Sequence, residues 1–299
     1  MDRKAGGALE QTLNAAGSPS PRPGPPTTQP RVKGRATQFL IAADRKPRRW
    51  IGALGIVAFV LAWHVLAARI DSASTLASPA VVVRTFVGMM SEPFAGSTLS
   101  AHLLASLQRF GAGFGLAVLL GIPMGVAMGW FRTLDAAVKP LFNLLRFIAP
   151  IAWVPFAVLW FGTGFGGPVL IIFAGAFPAC VIGAYGGAKL VDSRLLEAAR
   201  MLGARSGRIL LEVVLPSAMP AIVAALRVAA GNAWQSLVGA ELIVATSGLA
   251  FIMVRGQMNR TIVIVLVGML AIGLVGLLLE WVFRRFERYV KRRLGSASA

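Results

Sequence analysis

Residues 195–222 read LLEAARMLGARSGRILLEVVLPSAMPAI and lie between two strongly apolar stretches of the chain. Asp192 and Ser193 stand just before this stretch, where a short polar side chain can cap a helix. The apolar positions that follow share one helical face: Leu195, Leu196, Ala199 and Leu202. Gly203 accepts a positive φ without steric cost, so it can end that helix. The stretch therefore begins with a predicted short helix and a turn.

A second short helix is predicted after this turn. Ser206 can cap it, and Pro216 is expected to stop it before the next apolar segment. The two helices belong to a polar connection, residues 187–217, which is well above the usual length between helices. An apolar stripe exposed on such a connection indicates a protein partner or a position along the membrane surface.

The composition on both sides of this connection is that of an integral membrane protein. Hydrophobic residues make up 56% of the 299 residues and charged residues 14%, and the mean hydropathy is +0.71. A bilayer-spanning helix needs roughly 20 apolar residues. Six segments approach that length: 50–68, 109–130, 140–161, 168–186, 218–241 and 261–283. The predicted fold is an all-α membrane protein with six transmembrane helices.

Charge placement predicts the orientation of these helices. Most of the 30 Lys and Arg residues lie in the first 49 residues, in the connections 131–139 and 187–217, and at the C-terminal end. Cytoplasmic segments carry an excess of Lys and Arg, so both termini are expected inside. Arg109 then falls on the outer side. The net charge of +18 follows from topology and does not indicate nucleic-acid binding.

The sequence predicts two regions, a disordered tail and a transmembrane domain. Residues 1–49 are rich in Pro and basic residues and read as a disordered basic cytoplasmic tail. Residues 50–294 form the transmembrane domain, with the cytoplasmic connection at 187–217. The outer segment 69–108 is too long for a tight turn, and Ser78-Pro79 can begin a short helix there.

The connection resembles a known family, the inner-membrane permeases of binding-protein-dependent ABC importers, which have a MetI-like fold. The family signature is EAA, three residues, Gly, nine residues, then Ile-x-Leu-Pro. In this chain Val213 replaces the Ile, and every other fixed position matches at the same spacing. The matching residues, which the resemblance assigns to ATPase coupling, are Glu197, Ala198, Ala199, Gly203, Leu215 and Pro216.

The resemblance implies a transport subunit of the bacterial inner membrane, driven through alternating access by a separate ATPase. Two copies of the ATP-binding subunit, a periplasmic or lipid-anchored binding protein, membrane lipid and a second permease copy are the expected partners. Further motifs are similar to the sulfonate, nitrate and taurine branch: residues 150–155, 159–162, 226–227, 233–234 and 239–241. They predict a small anionic solute. The alternative within the family is a heterocyclic precursor.

Other functional classes lack support in the sequence. No G-x-x-x-x-G-K-[ST] occurs, so no phosphate-binding P-loop is present. The residues suggest no catalytic constellation, no cofactor and no metal site. An ion-coupled secondary transporter or channel, and a membrane enzyme, both remain possible by composition. Neither explains the spacing from Glu197 to Pro216.

Four residues in the predicted spans are candidates for the translocation path, because polar groups at membrane depth are costly. They are Arg227, Trp234, Arg146 and Glu241. Helical spacing places Arg227, Gly231 and Trp234 on one face. Arg227 has two alternative roles, which are pairing with a carboxylate of a neighbouring span and donating to carbonyls freed by Pro150 or Pro155.

Overall fold

The computed structural model describes residues 49–70 and 76–294, and this part of the chain is helical. We number the α-helices in chain order: α1 Arg49–Arg69, α2 Pro79–Gly88, α3 Leu99–Trp130, α4 Arg132–Leu145, α5 Val154–Phe161, α6 Gly166–Lys189, α7 Ser193–Met201, α8 Ser206–Ile209, α9 Leu215–Ile243, α10 Leu249–Met258 and α11 Ile262–Leu294. A 3₁₀ turn, Pro150–Trp153, precedes α5, and a π-helical turn, Leu210–Val214, joins α8 to α9.

Five helical stretches are long and apolar enough to cross a membrane: Trp50–Arg69, Leu99–Trp130, Gly166–Lys189, Ser206–Ile243 and Ile262–Arg293. A sixth crossing exists if the bent pair formed by α4 and the helical turns at Pro150–Phe161 counts as one span. The predicted all-α membrane fold is thereby confirmed. The predicted tail 1–49 lies outside the described residues apart from Arg49.

The centre of the bundle consists of three helices, α3, α6 and α9. α6 packs against α3 on one side and α9 on the other, and α11 packs against α9 and α10. The buried side chains at these contacts are mainly small or aliphatic, including Ala117, Ile172, Ala176, Ala229 and Ala233. Small residues let membrane helices approach closely, because lipid supplies no hydrophobic drive for association. α10 was not predicted from the sequence, since its ten residues are too few for a span.

The third predicted span, 140–161, is wrong as a single helix. α4 already begins at Arg132, so the predicted connection 131–139 is helical, and the chain bends by 88° before Pro150–Phe161. Proline disfavours the α-conformation in the residue before it. Ala149, which precedes Pro150, accordingly has φ −57° and ψ 139°. The chain is therefore broken, rather than merely curved, at this proline.

The second predicted span begins ten residues earlier than expected, at Leu99, and this places Arg109 inside α3 rather than on the outer side. Arg109 is buried. The polar residues His102 and Ser106 made residues 99–108 resemble a connection. The short helix predicted at Ser78-Pro79 is confirmed as α2, with Pro79 in its first turn.

Candidate functional site

The helix–turn–helix around Gly203 is the first candidate site. The Asp192 side chain accepts a hydrogen bond of 2.9 Å from the backbone N–H of Arg194, so it caps α7 as predicted. The helix ends at Met201, and Gly203, two residues further on, has φ +77° and is confirmed as the turn residue. The N–H of Ala204 then donates to the carbonyl of Ala199 over 3.1 Å. Both ends of α7 are therefore closed by local hydrogen bonds.

The second half of this element differs from the prediction in two respects. Arg205 occupies the N-cap of α8, so Ser206 is the first helical residue and makes no capping bond. Pro216 does not stop the helix, because the chain is helical without a break from Ser206 to Ile243. The π-helical turn explains this continuity. The N–H of Leu215 donates to the carbonyl of Leu210, five residues back, and the wider turn accommodates a proline that has no N–H to donate.

The exposed side of the helix–turn–helix carries both apolar and acidic groups. Met201 and Leu202 are 89% and 88% exposed, and Leu195 is 51% exposed. Glu197 and Ala198 are also exposed, whereas Leu196 and Ala199 are half-buried. Glu197 forms no hydrogen bond or ion pair with any residue that the structure describes. The turn thus presents an apolar surface beside a free carboxylate.

Buried residues fix the element to the bundle. Ile209 and Val214 are 1% exposed each. Leu215 is half-buried and packs against a cluster formed by Val126, Ala184, Ala218 and Ile222. Of the six predicted coupling residues, the structure brings Glu197, Ala198, Ala199 and Gly203 together at the turn. Leu215 and Pro216 lie at the start of α9, where the element joins the bundle.

Glu241, a predicted path candidate, lies in a closed polar cluster at the far end of α9. Its carboxylate accepts hydrogen bonds from the Ser106 hydroxyl at 2.7 Å, the Arg109 guanidinium at 3.1 Å and the Ala250 N–H at 3.1 Å. His102 accepts from the Gly248 N–H over 3.1 Å. The cluster joins α3, α9 and α10. The sequence shows no sign of it beyond the polar residues in 99–109. No group of acidic, His and Cys side chains suited to a metal occurs in the described ranges.

Trp234 and Arg227 lie on the face of α9 that packs against α11. The Trp234 indole N–H donates to the carbonyl of Ile272 at 3.3 Å, and its ring meets Phe110 edge to face. The Arg227 guanidinium pairs with Glu280 and Glu287, each at 3.3 Å. Carboxylate pairing, one of the two alternatives for Arg227, is therefore present in the structure.

The role of this pairing in folding can be tested by substituting Arg227. Arg227→Gln is expected to lower the yield of folded permease modestly, because Glu280 and Glu287 lose a shared cation but keep Arg284 and Lys291, while uptake per assembled complex stays near normal. Arg227→Lys, which keeps the charge, should retain most of the yield. Yield by size-exclusion chromatography and solute uptake in vesicles measure the two effects. Normal yield with lost uptake would instead place Arg227 on the translocation path.

Arg146 differs from the other path candidates in the size of the cavity that it lines, because the cavity lined by Arg227 and Trp234 measures only about 50 Å³. Arg146 follows α4 at the break in the third span, is exposed, and lies over the Phe147 ring at 4.8 Å. The cavity that Arg146 lines has a volume of about 440 Å³ and lies between the break, α6 and α9. Its remaining polar side chains come from α9: Asn232, Gln235 and Ser236. The sequence analysis did not identify these three residues as candidates, although the sequence shows their i, i+3, i+4 spacing inside an apolar span.

Comparison with known proteins agrees with this architecture. Residues 117–295 match the family described as the binding-protein-dependent transport system inner membrane component. The taurine transport system permease protein of Escherichia coli is 35% identical over 239 residues, covering 80% of this chain and 86% of the relative. The bicarbonate transport system permease protein of Synechococcus elongatus is 32% identical over 192 residues, covering 64% of this chain and 69% of the relative.

A solved structure shows the same fold at lower identity. A chain of the MetNI methionine ABC transporter, in an inward-facing conformation, superposes with a TM-score of 0.56 at 19% identity, covering 64% of this chain and 95% of that one. The family match spans more than half of the protein and includes α7, α8 and the whole of α9. The chain is therefore a multi-pass inner-membrane protein and a transport subunit rather than an enzyme, and it belongs to the family of permease components of binding-protein-dependent ABC importers.

Proposed function

We propose that this permease moves a small anionic solute across the membrane by alternating access, driven by a separate ATP-binding subunit that docks on the α7–α8 turn. The observation that carries the proposal is the surface of that turn. Met201 and Leu202 are almost fully exposed, and Glu197 is a free carboxylate beside them. Exposed apolar groups next to an unpaired charge favour a protein partner with a basic groove.

The helix that follows the turn supports this proposal, because it offers the proposed docking surface a mechanical route into the membrane. From Ser206 onward the helix continues without a break to Ile243, so a displacement of the turn is carried along α9. Ile209 and Val214 are buried, which holds the first turns of this helix against the bundle. α9 packs against α6 and α11, the helices that would have to move in alternating access. ATP-driven closure of the partner would rock these helices together.

The proposed assembly has two copies of this chain. Each chain carries one helix–turn–helix, and ATP-binding subunits of this transporter class act in pairs. A two-fold axis relating two permeases provides the matching pair of docking surfaces. An external binding protein, periplasmic or lipid-anchored, would deliver the solute. In this arrangement the α7–α8 end and both termini face the cytoplasm, in agreement with the distribution of Lys and Arg.

The anionic solute is proposed on chemical grounds. The taurine permease carries a sulfonate-bearing solute and the bicarbonate permease carries an anion, according to their names. Arg146 has no carboxylate partner among the described residues, and it faces the open cavity beside α9. A cation at the wall of a cavity in the membrane domain lowers the electrostatic barrier for an anion.

Substitutions at the turn test the coupling. Glu197→Lys should weaken binding of the co-expressed ATP-binding subunit by at least about tenfold, since it places like charges at the interface. Gly203→Val should have a similar effect, because a β-branched residue opposes φ +77°. Both variants should insert normally. The measurements are co-purification of the ATP-binding subunit, the mass of the complex and ATP-dependent uptake.

Glu92→Lys is the matched control, because Glu92 is an exposed glutamate between α2 and α3. It should leave co-purification and uptake unchanged. Normal uptake by both turn variants at normal expression would contradict docking at the turn. A complex mass that accommodates a single permease chain would contradict the two-fold assembly alone.

A further inference from the structure

One face of α9 carries polar side chains that nothing in the described chain satisfies. Asn232, Gln235 and Ser236 lie at i, i+3 and i+4 in the middle of a 29-residue helix. None of their side chains forms a hydrogen bond with another described residue. Polar groups at membrane depth are tolerated where they meet a water-filled cavity or a polar partner. The other face of α9, by contrast, has its polar groups paired with α11.

The three side chains open into the cavity of about 440 Å³ that Arg146 lines. This volume lies in the range of small-molecule sites, which is roughly 300–1,000 Å³. α6 forms the floor of the cavity with Ile171 and Gly175, both of which are buried. The break in the third span forms the wall that carries Arg146. The chain turns by 88° at this break, and Ile148, Pro150 and Ile151 at the break line the cavity.

The lining has the chemistry of an anion site. It contains one guanidinium, two amides and one hydroxyl, and no carboxylate. Guanidinium and amide N–H groups and hydroxyls donate hydrogen bonds to sulfonate or carboxylate oxygens. The apolar part of the lining, with Ile148 and Ile151 exposed, offers contact for a short hydrocarbon chain.

We infer that Arg146, Asn232, Gln235 and Ser236 form a subsite on the translocation path that holds the sulfonate or carboxylate group of the solute. This inference rests on the proposed transport function and names the residues that perform it. Arg146 attracts the anion to the cavity, and the α9 side chains replace part of its hydration shell. The competing occupant of this face is an α-helix of a second permease copy, because amide side chains also join membrane helices.

Cysteine labelling separates the two occupants without knowledge of the solute. The native Cys180 is 1% exposed and serves as the unreactive background. Gln235→Cys is labelled in the assembled complex, in membrane vesicles, with 2-sulfonatoethyl methanethiosulfonate, which is itself a small sulfonate, and with its trimethylammonium counterpart. After correction for the rates with a free thiol, the sulfonate reagent is expected to react at least about tenfold faster, because a charged cleft concentrates counter-ions. Adding Arg146→Gln should remove most of this preference.

Gln108→Cys is the matched control, because Gln108 is an exposed glutamine of another span that does not line the cavity. Its labelling should show no dependence on Arg146. Protection of Gln235→Cys from both reagents, or its oxidation to a cross-linked permease pair, would overturn the subsite and assign this face to the second copy. Equal rates with the two reagents would overturn the anion preference.

ATP hydrolysis and co-purification of the ATP-binding subunit are measured on the same preparations. If these fail for the unsubstituted chain, the proposed coupling is wrong. If they succeed and the labelling pattern is absent, the subsite alone is wrong. Gln235→Met should in addition lower uptake of a small sulfonate while ATP hydrolysis persists, and Gln108→Met should leave both unchanged.

Discussion

Glu241→Leu is expected to leave little folded permease, because it leaves the buried guanidinium of Arg109 without a counter-charge. The two side chains are 1% and 5% exposed, and their charged atoms lie 3.1 Å apart. Removing one partner of a buried ion pair costs about 3–5 kcal/mol. The Ser106 hydroxyl and the Ala250 N–H lose their acceptor as well. The apparent melting temperature of the purified protein should fall by about 6 °C or more.

The double variant Arg109→Met with Glu241→Leu tests which of two effects causes the loss. One is the missing attraction between the two side chains, and the other is a buried charge that has no counter-charge. The double variant removes both charges and should recover a large part of the stability that Glu241→Leu loses, because the desolvated charge is the main penalty. The recovery should be incomplete, since Ser106 and Ala250 stay unsatisfied. Thermal unfolding and the monodisperse fraction in size-exclusion chromatography measure all three variants.

The exposed pair Arg208–Glu212 is the matched control in the same chain. Its atoms lie 2.9 Å apart, yet the two side chains are 70% and 62% exposed. Glu212→Leu should therefore leave the melting temperature unchanged. A loss from Glu212→Leu as large as that from Glu241→Leu would contradict burial as the cause.

The sequence predicted the α7 turn well because its determinants are local. Asp192 and Gly203 act on residues within one helical turn, so spacing alone identifies the cap and the positive φ. The length and hydropathy of the spans are local as well, and α1, α6 and α9 were predicted to within three residues at each end. The continuation of α8 through Pro216 was missed because a π-helical turn depends on packing around Val214 and not on composition.

The polar cluster and the cavity were missed for a different reason. Arg109 and Glu241 are 132 residues apart, and only the packing of α3 against α9 shows that they form a pair. A lone Arg near a segment end therefore read as a surface charge. Pro150 lies inside a segment that was predicted as one helix, and the 88° bend was not predicted, because proline disfavours the helix before it without fixing the direction of the chain. The cavity is formed by residues far apart in the chain, so the sequence alone did not single out Asn232 and Gln235.

The second large effect is expected at the crossing of α3 and α6. The C-terminal half of α3 carries a small residue at every fourth position: Gly113, Ala117, Gly121, Gly125 and Gly129. This spacing places them in one row on the helix surface. The row faces α6 at close range. A Cβ atom added to Gly121 would lie 2.8 Å from the Cβ of Cys180, and one added to Gly129 would lie 2.6 Å from the Cβ of Ala188.

Gly125→Ile should prevent this approach. Its Cβ would collide with the carbonyl oxygen of Val181 and lie 2.8 Å from the Cβ of Ala184. The carbonyl belongs to the α6 backbone and cannot move away without shifting the helix. Overpacking costs roughly 1–3 kcal/mol where side chains can adjust. We expect a loss at or above the top of that range here, with little folded protein recovered from membranes.

Gly115→Ile isolates the packing effect from the change of residue. Gly115 lies on the same helix, is exposed, and has no atom within 4 Å of an added Cβ. The substitution adds the same side chain at a surface that meets lipid or another chain, so yield and melting temperature should match those of the unsubstituted protein. Equal losses from the two variants would show that α3 tolerates Ile poorly everywhere. Equal stability would show that α3 and α6 are not in close contact at Gly125.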